Sequence, residues 1–437
     1  MNERTPSRRD FLKKSSVAVA GATAISSLSL ARSAHAAENN QMKVALIGCG
    51  GRGKGAAANC LGTNKNTKLV AVADAFEDNA KSAAETLRNK FGDRVDVSGD
   101  RIFSGFDAYK NAIASGAELL LIATPPGFRP IHYKAAIEAG KHVFMEKPCC
   151  VDAPGFRSLL ETNKLADQKN LKVGVGLQRH HQLQYVETIK RLQDGAIGDI
   201  QFMRVYWNGG GVWNRSRKPD QTEMEYQMRN WYYFVWLCGD HIDEQHIHNM
   251  DIGNWIKNDH PVEANGMGGR QVRKFSDREH DYGQIYDHHA VEFTYADGTK
   301  MFSQCRHIPN CWNNVSEAAH GTKGTSNCSG NIEGENKWRY RGENPNPYDQ
   351  EHADLMAAIL GNKKYNEGWI GANSSMTAVL GRMATYSGKI VKWDDAVKKG
   401  PSEMPKEFAW NAKPPVLPDD KGSYEASVAM PGIYKAY

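Results

Sequence analysis

The sequence predicts an α/β protein with two main parts: an N-terminal parallel sheet covered by helices, and a C-terminal α+β domain with a large, mainly antiparallel open sheet. The first part is predicted because short apolar runs alternate with helical segments from residue 42, and because a glycine-rich loop follows the first run. The second part is indicated by strand-type segments and a hairpin turn beyond about residue 176.

The parallel sheet is predicted from apolar runs that are continuous rather than alternating in polarity. Such runs are typical of strands that are buried on both faces. The runs are Lys43–Ile47, Lys68–Ala73, Glu118–Ala123, Lys141–Met145 and Lys172–Gly176. The segments with helical spacing are Lys54–Leu61, Glu77–Lys90, Arg129–Ala139 and Gly155–Gln168.

The antiparallel sheet is predicted from Gln201–Trp207 and from His289–Tyr295, which a turn at 296–299 joins to Lys300–Cys305. Helical patterns return at Asp349–Leu360 and Ala372–Val391, and the prolines at 401, 405, 414, 415 and 418 then indicate an extended surface tail. The predicted boundaries are 1–36 for a leader, 42–168 and 169–395 for the two domains, and 396–437 for the tail.

The first 36 residues have the layout of an export signal. The pair Arg8-Arg9 precedes the charge-free run Ser15–Ala31, and Ala34-His35-Ala36 offers a small-residue cleavage site. That run is diluted with Ser, Thr and Gly, whereas a membrane span needs about 20 apolar residues. We therefore expect a signal for the twin-arginine export machinery, no membrane span after cleavage, and a periplasmic location.

Composition argues against a nucleic-acid partner. The 437 residues carry a formal net charge of +5, but beyond residue 36 there are 49 basic and 48 acidic side chains, so no basic stripe is indicated. The hydrophobic content of 40% is sufficient for real cores, and a small-molecule ligand is expected. The eight cysteines include no CxxC pair, so no disulfide framework is indicated, and pairing of Cys305 with Cys311 stays open.

The loop Gly48-Cys49-Gly50-Gly51-Arg52-Gly53 has the GxGxxG spacing of a Rossmann dinucleotide-binding site and lies between the first strand and the first helix. Gly48 permits the tight turn, Gly50 lets the backbone approach a pyrophosphate, and Gly53 lets the helix pack on the strand. Asp74 ends the second strand, where a carboxylate accepts hydrogen bonds from the adenosine ribose and repels a 2′-phosphate. NAD is therefore the expected cofactor, with Gly51 and Arg52 also in its binding loop.

The run Lys141–Met145 ends in Glu146-Lys147-Pro148, at the sheet edge where ligands bind in such folds. A lysine there points into the crevice, where its ammonium can donate to a substrate oxygen and take part in proton transfer. Lys147 is predicted to be a general acid/base, and Glu146 to support the nicotinamide ribose or Lys147. The Lys147–Pro148 peptide bond is predicted to be cis.

The densest polar cluster of the sequence lies at residues 239–251. If it is one helix, His241, Glu244, His248 and Asp251 share a face. A carboxylate one turn from a histidine fixes its tautomer, which suits a proton relay in which Lys147 or His248 takes the hydroxyl proton. We expect this relay and no metal. A metal site built from these ligands and a purely structural helix stay open as alternatives.

Residues 206–236 contain four of the ten tryptophans. Flat rings with polar handles suit the C–H faces of a sugar, so Trp231 is a candidate substrate residue. Aromatic packing in a core or interface would explain the cluster equally well.

Together these motifs resemble the glucose–fructose oxidoreductase / inositol dehydrogenase / MocA (Gfo/Idh/MocA) family over about residues 42–395. The resemblance is carried by the glycine loop, Asp74, Ala123-Thr124-Pro125-Pro126 with His132, Glu146-Lys147-Pro148, Gln178-Arg179 and the acid-xxx-His-xx-Asp run at 244–251. Within the family, Glu351-His352, Asn366-Glu367-Gly368 and Gly381-Arg382-Met383-Ala384 are similar to an exported, twin-arginine subgroup.

The resemblance implies a Rossmann domain and a second domain whose open sheet serves a homo-oligomer, either a dimer or a tetramer. It implies that Lys147 and His248 are catalytic, with Glu244 where the family has Asp and His246 where it has Gly. The implied cofactor-binding residues also include Thr124, Pro125, His132, Glu146 and Lys147. The substrate candidates are Arg179, Trp231, His241 and Asp251.

These features predict an NAD-dependent oxidoreductase that acts on a sugar, polyol or related carbohydrate by hydride transfer to tightly bound nicotinamide. Tight binding is expected because a periplasm without free nucleotide could not replace lost NAD. The main alternative is an NAD-dependent glycoside hydrolase that oxidises its sugar transiently. A metal-dependent enzyme and a non-catalytic sugar-binding protein are less favoured. The sequence identifies neither the sugar nor the electron acceptor.

Overall fold

The computed structural model describes residues 41–273 and 283–437. The predicted export signal at residues 1–36 lies outside the described residues and stays a prediction. Helices within the described ranges are all too short or too polar to cross a bilayer.

The first domain is built on a parallel sheet. Its strands in the described chain are β1 (Met42–Ile47), β2 (Thr67–Asp74), β3 (Ile102–Ser104), β4 (Leu119–Ile122), β5 (His142–Met145) and β6 (Val173–Val175). They lie in the order β3-β2-β1-β4-β5-β6. The intervening helices are α1 (Gly51–Thr63), α2 (Glu77–Phe91), α3 (Ala108–Ala114), α4 (Arg129–Glu138) and α5 (Ala153–Gln168). The predicted parallel sheet is confirmed, whereas the short elements β3 and α3 were not anticipated.

Burial on both faces explains the continuous apolar runs. Val44 and Leu46 of β1 join a core with the helices of one face, whereas Ala45 and Ile47 join the core on the other. Successive side chains of a strand point to opposite faces, so every position of such a strand must be apolar.

The second domain is built on a sheet that is open on one face. Its strands in the described ranges are β7 (Ile200–Gly209), β8 (Glu263–Gly269), β9 (His288–Thr294), β10 (Lys300–His307), β11 (Asn314–Gly321), β12 (Gly324–Ser326), β13 (Asn331–Gly334), β14 (Trp338–Arg339) and β15 (Val391–Lys392). Their order is β14-β13-β12-β11-β7-β10-β9-β8-β15, and β7 pairs in parallel with β10. The other described pairs are antiparallel, which confirms the prediction. Met267, Phe302 and Val315 are exposed on its strands, and Cys305 and Cys311 are free thiols.

The remaining helices tie the two sheets together. They are α6 (Leu183–Gln193), α7 (Glu223–Arg229), α8 (Val235–Cys238), α9 (His241–Glu244), α10 (Ile247–Lys257), α11 (Pro347–Leu360), α12 (Gly368–Ser387) and α13 (Trp393–Lys399). Helix α12 is buried along most of its length between α5 and β8, and α11 packs against α1. Strand β6 lies beyond residue 168, so the first sheet extends past the predicted boundary, and the other boundaries stay predictions.

The tail beyond α13 is extended and most of its residues are exposed or half-buried, but a few of its side chains anchor it to the two domains. Tyr424 is fully buried against Phe234, with ring centroids 5.1 Å apart. Trp410 packs on Phe106 of the first domain at 4.6 Å. The tail is held because its aromatic side chains fill apolar gaps on both domains.

Candidate active site

The glycine loop forms a backbone cradle at the start of α1. Gly48 has φ +94°, and a Cβ there would lie 2.5 Å from the backbone N of Thr124. A Cβ at Gly53 would lie 1.8 Å from the carbonyl oxygen of Gly48, so the helix packs directly on the loop. Gly50 and Gly51 face open space at the helix N-terminus, where free N–H groups favour phosphate. The loop therefore fits a dinucleotide.

Asp74 lies at the end of β2 beside this cradle. Its Oδ2 accepts the N–H of Cys49 at 2.7 Å, and its Oδ1 accepts the N–H of Phe76 at 2.9 Å. Burial raises the pKa of Asp74, and these N–H donors oppose the rise. The carboxylate is therefore held in place at the ribose position that the sequence predicted.

Glu146 is held by the glycine loop. Nε of Arg52 donates to Oε1 of Glu146 at 2.5 Å, and the Arg52 guanidinium lies over the ring of Tyr348 at 5.0 Å. Burial lowers the pKa of Arg52, but Glu146, Glu351 and Tyr348 together raise it by more, so the guanidinium stays charged. Glu146 therefore positions Arg52 and does not pair with Lys147, which was one of its two predicted roles.

Lys147 is held by the second domain. Its ammonium donates to the carbonyl oxygen of Glu244 and lies 3.1 Å from Oε1 of the same residue. Both side chains are nearly buried, at 13% and 14% exposure. The Lys147–Pro148 peptide bond is cis, as predicted. The predicted lysine and the predicted acid are therefore brought together.

His248 lies near Lys147 as a neutral imidazole. Burial and then the positive charges of Lys147 and Arg179 hold the pKa of His248 well below its usual value of 6.5. The ring stacks on Trp207 at 5.9 Å, and its Nδ1 has no hydrogen-bond partner in the described part of the chain. The imidazole is therefore available to accept a proton.

Arg179 supports the histidine rather than facing an open site. Its Nη1 donates to the carbonyl oxygen of His248 at 2.9 Å and also to the carboxylate of Glu317 on β11. Only 12% of its side chain is exposed. Arg179 was predicted to contact substrate, and the structure shows that these two partners occupy it.

The polar segment at 239–251 is not one helix, which corrects the single-face prediction. Helix α9 ends at Glu244 and α10 begins at Ile247. The N–H of His246 bonds to the carbonyl of His241 five residues back, at 3.3 Å, and this wider turn changes the helical phase.

The change of phase separates side chains that the sequence placed together. His241 is fully buried, and its Nδ1 lies 2.8 Å from Oδ1 of Asp240. Asp251 is buried between Nε2 of His180 at 2.8 Å and the hydroxyl of Ser374 at 2.7 Å. These two substrate candidates are therefore committed to buried partners.

One group among the described residues has the composition of a metal site, namely Asp240, His241 and His289. It is not the set that the sequence suggested as an alternative, since Glu244 and His248 are outside it. The Asp240 carboxylate already accepts hydrogen bonds from His241 and from the hydroxyl of Tyr386 at 2.5 Å. Hydrogen bonds within the protein therefore satisfy it.

A cavity of about 490 Å³ runs along the glycine loop. Its lining includes Asp74, Thr124, Pro125 and His132, all of them predicted cofactor-binding residues. Burial lowers the pKa of His132 to about 3, and its Nδ1 lies 3.2 Å from the hydroxyl oxygen of Thr124. These residues are brought to one cavity, as the sequence predicted.

The cavity is also lined by residues that were not predicted to bind the cofactor. Trp231, a predicted substrate residue, lines this cavity, and its contact with the substrate stays a prediction. Phe76, Trp213 and Arg215 line it too, and sequence reasoning did not find them as cofactor residues. No signal near the glycine loop marks Trp213 and Arg215, because they come from the second domain, whereas Phe76 follows the predicted Asp74 by two residues.

The fold and this cavity fit a dinucleotide-binding domain of the Rossmann type. Residues 42–177, less than half of the chain, match the family model described as an oxidoreductase family with an NAD-binding Rossmann fold, and this part of the chain is similar to the Gfo/Idh/MocA family. The predicted NAD cofactor is thereby confirmed, whereas membership of the Gfo/Idh/MocA family and the dehydrogenase activity stay predictions. The twin-arginine subgroup stays a prediction.

Three proteins illustrate the similarity. Inositol 2-dehydrogenase from Rhizobium meliloti is 25% identical over 244 residues, which are 56% of this chain and 63% of that enzyme, so slightly less than two thirds of the relative is spanned. The structure of aldose–aldose oxidoreductase from Caulobacter crescentus with glycerol aligns with a TM-score of 0.62 at 17% identity, covering 80% of this chain and 99% of that one. A levoglucosan dehydrogenase with NADH and levoglucosan aligns with a TM-score of 0.61, at the same identity and coverage. The two structures show the shared fold.

Proposed function

We propose that the protein is an NAD-dependent oxidoreductase that acts on a sugar, polyol or related carbohydrate. The observation that carries the proposal is the Lys147 ammonium, held 3.1 Å from Glu244 near a neutral His248 and directly after β5. Sequence relatives that are inositol dehydrogenases support a substrate with CH–OH groups.

The nucleotide is held by the backbone of the glycine loop and by Asp74. When bound, NAD supplies a hydride acceptor at C4 of its nicotinamide. Lys147 donates a hydrogen bond to the substrate oxygen and lowers the cost of its deprotonation. The neutral His248 imidazole takes or relays the hydroxyl proton, because its depressed pKa keeps a lone pair free at neutral pH.

The test begins with mass spectrometry of denatured protein, which we expect to show NAD. The protein is then incubated with inositols, aldoses and glycosides while the absorbance of reduced nicotinamide and any released aglycone are recorded together. Reduction driven by a polyol or sugar supports the proposal. Aglycone release without net reduction would instead identify a glycoside hydrolase that oxidises its sugar transiently. Activity that depends on added metal would contradict both.

We further propose that residues 1–36 direct export by the twin-arginine route to the periplasm. Support comes from Arg8-Arg9, the charge-free run Ser15–Ala31 and the cleavage site at 34–36. In cell fractionation, replacing both arginines by lysine should retain uncleaved protein in the cytoplasm. Arg32→Lys lies outside the paired motif and should leave export unchanged. Equal periplasmic yield of all three proteins would overturn the proposal.

We also propose that the open sheet forms a homo-oligomer. Met267 on β8 is 79% exposed and Phe302 on β10 is 41% exposed, an apolar surface that association would bury. Met267→Asp should lower the molar mass measured by light scattering. Met430→Asp in the tail, 60% exposed, is the matched control. An unchanged mass for Met267→Asp would contradict this interface.

A further inference from the structure

The nucleotide cavity has a second wall that the Rossmann domain does not supply. Trp213, Arg215 and Trp231 belong to the second domain, and they line the cavity together with the glycine loop and Asp74. Trp213 is 43% exposed and meets Trp231 edge to face at 6.1 Å. A bound ligand would cover this exposed aromatic surface.

An ion pair joins the second wall of the nucleotide cavity to the first domain. Arg229 donates from both terminal nitrogens to the two carboxylate oxygens of Asp78, each at 3.0 Å. Its guanidinium also lies 3.6 Å above the ring of Phe76. Bidentate geometry and a cation–π contact are the strong arrangements for arginine. The Arg229–Asp78 pair is called the clamp below.

The clamp lies at the end of the cavity that carries Asp74. Phe76 donates its N–H to Asp74, and Asp78 lies in the first turn of α2. The C-terminal tail strengthens the same corner, because Trp410 packs on Phe76 at 5.0 Å. Three distant segments of the chain therefore meet where the adenosine ribose is expected.

Arg215 supplies a charge to this wall. Its guanidinium lies 5.4 Å from the ring centroid of Trp213, and the residue is exposed. Its backbone is fixed, because its N–H donates to Oδ1 of Asn230 at 2.8 Å and its carbonyl accepts from Nδ2 of the same residue at 3.0 Å. A cation on a fixed backbone at the cavity wall suits a phosphate group.

We propose that the clamp closes the second wall over the bound nucleotide, and that Trp213 and Arg215 are further nucleotide-binding residues. This inference rests on the NAD-dependent function proposed above. A nucleotide enclosed between two domains leaves only after the wall moves, so the clamp sets the rate of release. Retention of the nucleotide through turnover then follows from the structure of the site.

The test measures NADH association and dissociation rate constants by nicotinamide fluorescence in the full chain. Arg229→Ala and Asp78→Ala should each raise both rate constants by roughly fivefold, the size expected for a partly exposed bidentate pair. Both rate constants rise because opening precedes entry as well as exit, whereas loss of a simple ligand contact raises dissociation alone. Trp213→Ala and Arg215→Ala should raise mainly dissociation, by about tenfold.

The matched control is Arg191→Ala. Arg191 also has a carboxylate partner, Glu187 at 2.6 Å, and an aromatic partner, Trp338 at 4.2 Å, but it does not line the nucleotide cavity. Its loss should leave both rate constants unchanged. The exchanged pair Asp78→Arg with Arg229→Asp should return both rates toward wild type. Arg229→Lys keeps the charge without the bidentate geometry and serves if the alanine variants do not fold.

The outcomes separate the clamp from the proposed function. If the wild type binds NADH and its NAD is reduced by substrate, but the clamp variants keep both rate constants within about twofold, the proposed role of the clamp is wrong and the proposed function stands. A rise in the dissociation rate constant alone would likewise contradict the proposal that the clamp controls opening of the cavity. If the folded wild type binds no NADH, the proposed function and the clamp fail together.

Discussion

Nε of Arg52 lies 2.5 Å from Oε1 of Glu146, so an ion pair joins the glycine loop to the Glu-Lys-Pro strand end 94 residues further along the chain. Nη2 of the same arginine lies 3.5 Å from Glu351 of α11, whose side chain is fully buried. One cation therefore pairs with Glu146 and lies beside a second, buried carboxyl group. The loop that suits a pyrophosphate and the strand end that presents Lys147 form one electrostatic unit.

Arg52→Ala should destabilise the protein more at alkaline than at acidic pH. Burial and then the Glu146 charge already raise the pKa of Glu351, and removal of Arg52 raises it further. A raised pKa in the folded state means that stability falls as the pH rises through that pKa. We expect a loss of about 1–3 kcal/mol at alkaline pH in urea unfolding, allowing for the partly exposed guanidinium. Lys68→Ala, which breaks an exposed pair with Asp96, is the control. An equal loss for Arg52→Ala at both pH values would contradict the prediction.

Lys147→Met should abolish most turnover while the nucleotide still binds. Methionine keeps the length of the side chain but cannot donate to a substrate oxygen, so kcat should fall by about 10²–10⁴. Steady-state kinetics and NADH titration measure the two effects separately. Lys257→Met removes a lysine paired with Asp297 on the second domain and should leave kcat unchanged. Turnover of Lys147→Met close to wild type would remove this residue from the mechanism.

His248 should stay neutral well below the usual histidine range. Burial, followed by the charges of Lys147, Arg179 and Arg52, depresses its pKa. The unfolded chain therefore takes up this proton more readily, and the stability that the neutral imidazole contributes is lost as the pH falls through the folded-state pKa. The acidic limb of kcat/KM should lie below 6.5, and the NMR titration of the ring should agree. His248→Asn should lack this limb, and its persistence in that variant would assign it to another group.

Gly48→Ala should cost stability and nucleotide binding together. Gly48 has φ +94°, and the added methyl would lie 2.5 Å from backbone atoms of Ala123 and Thr124. We expect a loss of about 2–4 kcal/mol in chemical unfolding. Gly62 in α1 faces open space, and Gly62→Ala should instead stabilise the helix by up to about 1 kcal/mol. Similar effects of the two substitutions would show that the loop tolerates a side chain.

Much of the first domain could be predicted because its signals are local. The five continuous apolar runs form strands, since a strand buried on both faces must be apolar at every position. The spacing of Gly48, Gly50 and Gly53 after β1 predicts the cradle. Each glycine lies where a side chain would clash with the backbone or block a ligand, and all three belong to the same strand-turn-helix unit. Lys147 directly follows β5, so its place at the carboxyl edge of the sheet is predictable as well.

Contacts between residues that are distant in the sequence were decided by the tertiary structure. The residue spacing at 239–251 allowed one helix, but a bond from His246 to the carbonyl of His241 divides it and leaves His241 in the core. Trp231 lines the nucleotide cavity, and Arg229 meets Asp78 across 151 residues. Propensity and periodicity report only on neighbours along the chain, whereas these contacts exist because two sheets and a tail pack at one edge. The amino-acid pattern alone therefore determined the dinucleotide fold and its lysine, and the packing of the second domain decided how the cofactor cavity is closed.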